Sequence, residues 1–180
     1  MLQKKKLKLP EVNRLCYTDF IDTFGNVVEK CPLLAAMVWE DNPFTSLDDL
    51  QSKFENAVDQ LTLTGKSRLL RLLSPFGGKL ERAGKLSPES KIERASAGLN
   101  TVNADERIRL SELSAKYITK FGFPFIVCAR ENTKESILKG MERRLNNSVA
   151  VEENTAITEI KKIANLRLRD LVEDALISKL

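Results

Sequence analysis

The sequence predicts an all-α fold, a single compact and irregular helical bundle. Three observations carry this. Apolar residues recur at three- and four-residue spacing along most of the chain, the period of helices with one buried face. Helix-start signals stand before several of these stretches, notably Ser87-Pro88 and the pair Asn103 and Glu106. Only one run, Phe123 to Ala129, reads as extended.

Residues 1–10 read as a flexible basic tail containing Lys4, Lys5, Lys6 and Lys8. Thr18 to Phe24 forms a short helix stopped by Gly25, and Leu33 to Trp39 is an apolar segment after Pro32. Ser46 opens a longer helix in which Leu47, Leu50, Phe54, Val58 and Leu61 share a face, with Thr64-Gly65 as its end. Lys66 to Leu73 is a further helical piece, broken by Ser74-Pro75 and Gly77-Gly78. Ser87-Pro88 starts a helix that runs to Ala97-Gly98. The next carries Leu110, Leu113, Tyr117 and Phe121 on one side. The residues after Pro124 fit either a buried extended segment or the start of a helix. Thr133 to Leu145 and Ala156 to Ile177 complete the helices. With no repeats or linkers, residues 11–177 read as one domain.

Composition narrows the function. The 180 residues, 42% hydrophobic and 30% charged, suit one globular domain rather than a disordered chain. The net charge of +4 is spread through mixed clusters such as Glu142-Arg143-Arg144, which read as solvated surface. No basic stripe with interleaved aromatics points to nucleic acid. No apolar run approaches the ~20 residues of a membrane span, and the N-terminus lacks the apolar core of a secretory signal. Three cysteines, Cys16, Cys31 and Cys128, form no CxxC pattern, and with no histidine a Cys/His metal site is excluded. A reducing compartment fits them. Cys128 reads as buried packing, since no imidazole exists to activate it. The terminal Ser178-Lys179-Leu180 reads as a peroxisomal address for an import receptor, with the cytoplasm as the alternative location.

Three stretches stand together: Phe121 to Ala129, Leu86 to Leu99 and Glu159 to Leu168. With Phe24-Gly25-Asn26, Cys31-Pro32-Leu33 and Asn42-Pro43-Phe44 upstream, they resemble the family of 2-oxo-4-hydroxy-4-carboxy-5-ureidoimidazoline (OHCU) decarboxylases from about Val12 onward. The resemblance implies an irregular helical bundle of that type. It also implies a cofactor-free carboxy-lyase of urate breakdown that turns OHCU into S-allantoin and CO₂. A homodimer, a small ureidoimidazoline or purine-like ligand and, in some members, a peroxisomal location are implied as well.

The chemistry makes definite demands. Loss of CO₂ leaves electron density that the imidazolone carbonyl system absorbs without a cofactor. One face of the carbon must then be protonated by a positioned acid, with polar groups fixing the ring and ureido arm. Histidine is the natural acid. The family carries it in a His-Pro-Asp-Leu-Ala-Gly pattern. The matching stretch here is Ser74-Pro75-Phe76-Gly77-Gly78, one residue shorter, with the imidazole replaced by a hydroxyl and the aspartate lost.

The rest of the site is carried over by resemblance. Ser90 and Glu93, within Ser90-Lys91-Ile92-Glu93-Arg94, match the serine and glutamate that hold the substrate and orient the histidine. Phe125, Ile126, Val127, Cys128 and Ala129 match the backbone-binding segment, Arg167 matches the family's arginine, and Pro75 stays beside the acid's position. Arg94 stands where glutamine is usual, and Ser114 where asparagine is frequent. The changes around Ser74 imply released constraint and a decarboxylase whose activity is lost or strongly impaired. One alternative is an active enzyme that draws its proton from water or from Glu93, its pKa raised in an apolar pocket. Another is a non-catalytic helical binding or partner protein.

Overall fold

The computed structural model describes residues 5–173, leaving aside the side chains of Leu80 and Arg82. The terminal tripeptide, Ser178 to Leu180, lies outside the described residues. Among those described there is no strand, only an isolated bridge between Leu7 and Val172. The helices fall into two compact units, residues 1–63 with 161–180, and residues 64–160.

In the first unit α1 spans Leu9–Val12, α2 Tyr17–Phe24, α3 Pro32–Trp39 and α4 Leu47–Gln60. Residues 5–10, expected within a tail, thus carry structure: Leu7 bonds to the backbone at Leu171 and Glu173, and α1 begins at Leu9. Pro32 sits in the first turn of α3, where its missing N–H has no helical acceptor to lose. Ser46 caps α4 by accepting from the Asp49 N–H at 3.0 Å. The core is built from Phe20, Phe24, Leu34, Leu50 and Phe54, all essentially sealed from solvent.

The second unit begins with α5, Leu63–Leu72. Here the structure departs from the expected boundary. The break falls at Leu61, where ψ is 136°, and Thr64-Gly65 lies in the first turn of α5. A glycine near a helix end signals a change of direction without saying on which side of it the break occurs. The short α6, Lys79–Arg82, was not foreseen. Helix α7, Pro88–Ser96, starts on its Ser87 cap, and Gly98 follows in the left-handed region with φ 77°.

Asn103 and Glu106 form the expected capping box at the head of α8, Ala104–Phe121. Leu110, Leu113, Tyr117 and Phe121 are buried along one side of it. Helix α9, Lys134–Arg144, is capped by Thr133. Helix α10, Val149–Leu171, begins seven residues before the expected Ala156 and gives way to the bridge at Val172. It supplies its first turns to the second unit and its last turns to the first. No described helix is long and apolar enough to cross a membrane.

Candidate active site

The segment after α5 is where the family's acid would stand, and it is tightly held. Ser74 is buried, and its carbonyl accepts from Arg94 Nη2 at 2.6 Å. Arg94 Nη1 donates to the Pro75 carbonyl at 3.3 Å and to Glu81 Oε2 at 2.5 Å. The same Glu81 oxygen accepts the Gly77 N–H at 2.6 Å. The guanidinium also lies over the Phe76 ring, 4.6 Å from its centroid, and Ser114 Oγ donates to the Phe76 carbonyl at 2.8 Å.

Two glycines let the loop close this way. Gly77 has φ 65°, and a Cβ on Gly78 would lie 2.7 Å from Pro75 Cγ. Ser74, Phe76, Arg94 and Ser114, the positions expected to depart from the family, are therefore tied to one another. The loop is held by contacts from Arg94, from Glu81 and from Ser114.

The stretch Phe125–Ala129 resolves the alternative left by its composition: it is buried and extended, without a strand partner, and leads into a 3₁₀ turn at Ala129–Glu131. Its backbone polar groups need partners away from water. Arg144 Nη1 donates to the Ile126 carbonyl at 2.9 Å, and the Cys128 N–H donates to Glu159 Oε2 at 2.7 Å. Arg144 also lies 4.4 Å from the Phe125 ring centroid.

Its counter-charge is Glu152, fully buried, which accepts from Arg144 Nε at 2.8 Å, from Asn147 Nδ2 at 2.7 Å and from the Tyr117 hydroxyl. A charge at that depth persists only when paired and hydrogen-bonded. Burial, helped by the bond to Glu152, drives the Tyr117 hydroxyl well above its ordinary pKa, so Tyr117 serves as a donor.

Helix α7 presents two faces. Ser90 and Glu93, three residues apart, share one of them with Ala97. The helix packs on the Ala129–Glu131 turn. Ser90 is buried and Glu93 half-buried. Burial first, then the charges of Glu131 and Glu159 and lastly that of Glu93, push the Cys128 thiol up to about 11. It stays protonated at neutral pH, which rules out a thiolate nucleophile there. Lys91 belongs to the other side of the helix, and Ile92 is exposed.

Arg167 lies in the first unit. It is buried, with Nη1 donating to the Asn26 carbonyl at 2.9 Å and Nη2 3.9 Å from Glu29 Oε2. The second unit thus gathers Ser74, Pro75 and Arg94 into one cluster. It places Ser90 and Glu93 on the helix face that Ala97 shares, and packs that helix beside the end of the 125–129 segment.

Residues 13–169 match the profile of the OHCU decarboxylase family. The chain belongs to that family. The 2-oxo-4-hydroxy-4-carboxy-5-ureidoimidazoline decarboxylase of Amia calva is 41% identical over 167 residues, covering 93% of this chain and 95% of the relative. The protein of the same name from Mus musculus is 40% identical over 166 residues, 92% of this chain and 93% of its own length. A crystal structure of OHCU decarboxylase in the presence of (S)-allantoin superposes with a TM-score of 0.67 at 23% identity, covering 81% of this chain and 94% of that one, a likeness of fold.

Within this family fold several residues of the second unit carry more than their sequence neighbourhood announces. Arg144 stands in the cluster Glu142-Arg143-Arg144, which reads as solvated surface, yet Arg144 is buried. Glu81, Glu152 and Tyr117 belong to no motif. Their one sequence signal is periodic: Arg144 lies three residues after the buried Met141, and Glu152 four before Ala156, so each falls on an apolar face. Glu159 sits within a family-like stretch, and its partner is a backbone N–H that no motif reveals. Among the described residues no cluster of carboxylates and cysteines is arranged to hold a metal ion.

Proposed function

We propose that this chain is an OHCU decarboxylase-type protein of urate breakdown that takes a ureidoimidazoline ligand and decarboxylates it with strongly impaired efficiency. The observation that carries this is the position of the family's histidine. Ser74 stands there in a chain without histidine, its carbonyl fixed by Arg94. A serine hydroxyl has no pKa near neutrality and cannot deliver the proton that an imidazole delivers. Removing a general acid costs ~10²–10⁴-fold in rate. Ser90, Glu93, Phe125 to Ala129 and Arg167 are the residues assigned to ligand binding. The proposal includes a homodimer, as the family resemblance implies, and import into peroxisomes through Ser178-Lys179-Leu180.

The test is direct. OHCU is generated freshly from urate by the two preceding enzymes, this protein is added, and S-allantoin is followed by circular dichroism. The expected rate is at or slightly above the spontaneous one. A rate within tenfold of a histidine-bearing relative contradicts the proposal. In that event Glu93→Gln decides the proton source: loss of the rate assigns the proton to Glu93, and an unchanged rate leaves water as the donor.

A further inference from the structure

A cavity of about 410 Å³ opens beside α7, which lines it with Lys91, Arg94 and Ala95 but not with Ser90 or Glu93. Its walls include Leu86, Leu99, Val102 and Leu110, and its polar lining includes Lys91 from α7 and Arg107 from α8. The volume lies in the range of pockets that hold small organic ligands, ~300–1,000 Å³.

Charge decides what kind of ligand fits. The one acid in the lining is Glu81, and its carboxylate is engaged by Arg94 and by the Gly77 N–H. Lys91 and Arg107 are exposed and, among the described residues, have no side-chain ion pair or hydrogen bond. The cavity therefore pairs apolar walls with two cations whose charge is not balanced within the lining.

We propose that this cavity binds a small organic carboxylate with an apolar body, its carboxylate between Lys91 and Arg107 and its hydrocarbon against Leu86, Leu99 and Leu110. An apolar body gains by leaving water, and a carboxylate at the two cations gains charge-assisted hydrogen bonds. This goes beyond the reading of the chain as a decarboxylase. Lys91, within the Ser90 to Arg94 stretch that the resemblance places in the substrate site, lines this cavity.

Isothermal titration of the full chain with octanoate and with 1-octanol separates the two contributions, since the probes share a hydrocarbon body and differ in charge. Saturable binding of one octanoate per chain is expected, with octanol at least tenfold weaker. The double charge reversal Lys91→Glu with Arg107→Glu should weaken octanoate at least tenfold. Leu99→Trp, which fills the cavity, should abolish binding. If that variant fails to fold by far-ultraviolet circular dichroism, the two surface reversals still decide.

Octanol binding as tightly as octanoate, an unchanged octanoate affinity in the double reversal, or no saturable binding each overturns the proposal. So does a dimer that the double reversal dissociates while octanoate gives no saturable heat, because the cavity is then an interface between copies.

Discussion

Two irregular segments of the second unit, Ser74 to Gly78 and Phe125 to Ala129, are held by the same device. In each, an arginine from a neighbouring helix donates to a backbone carbonyl, lies over the segment's own phenylalanine and pairs with a glutamate. For the first, Arg94 takes Ser74 and Pro75, Phe76 and Glu81. For the second, Arg144 takes Ile126, Phe125 and Glu152.

The two differ in depth. The Glu152 side chain is 0% exposed and that of Glu81 24% exposed. By resemblance the Phe125 segment matches the family's binding segment, while the Ser74 segment is where the expected histidine and aspartate are replaced. The comparison teaches that the Ser74 loop is clamped as the Phe125 segment is, though nearer the surface. Its contacts run from Arg94 to the Ser74 and Pro75 carbonyls and to Glu81, which also holds the Gly77 N–H.

The largest effect should come from the deeper clamp. Arg144→Ala leaves Glu152 as an uncompensated buried charge, and breaking such a pair costs ~3–5 kcal/mol. Urea unfolding followed by far-ultraviolet circular dichroism should show the loss. Arg94→Ala should cost less, ~1–3 kcal/mol for the carbonyls and carboxylate it leaves unmet in a partly exposed site. Its mark is local, with faster amide exchange at Ser74 to Gly78 and little change at Phe125 to Ala129. Equal costs for the two arginines would break the comparison.

A smaller effect comes from Cys128, whose N–H ties the Phe125 segment to Glu159 of α10. Its folded pKa of about 11 lies above the ordinary value of 9.0. The stability tied to the neutral thiol is therefore complete below pH 9 and is lost as pH rises toward 11. The unfolded thiol ionises first, so the unfolded state gains. At pH 10 the loss is about 1.4 kcal/mol, one unit of differential titration. Cys128→Ala should flatten the unfolding midpoint over that window, and an undiminished slope would place its cause elsewhere.

How far the sequence reaches differs between the two segments. Helices α4, α7, α8 and α9 follow from spacing and caps, because one buried face and a Ser, Thr or Asn start are local properties; α2 follows from its spacing and the glycine after it, and α3 reads only as an apolar segment. The Phe125 segment is legible as apolar and buried, but its run after Pro124 fits an extended segment and a helix start alike, and only the structure decides for the first. The clamps are not legible. Arg144 and Glu152 read as ordinary surface charges, and their burial depends on α9 and α10 meeting beside Phe125. Arg94 is legible as an oddity, a cation where an amide is usual, but its targets are backbone carbonyls, which a sequence of side chains does not display. The boundary at Leu61 and the helix α6 escaped for a related reason, since glycine and serine mark a turn without fixing its position.

The central claim is that Ser74 and Arg94 act as one unit, joined through the Ser74 carbonyl. The measurement is the initial rate of S-allantoin formation from fresh OHCU, by circular dichroism, for the parent, Ser74→His, Arg94→Gln and the double variant. Ser74→His alone should recover less than tenfold, ~1.4 kcal/mol of barrier, because Arg94 still holds the loop through the Ser74 and Pro75 carbonyls. The double variant should exceed the product of the two single effects. Full recovery by Ser74→His alone, or effects that simply multiply, would contradict the account.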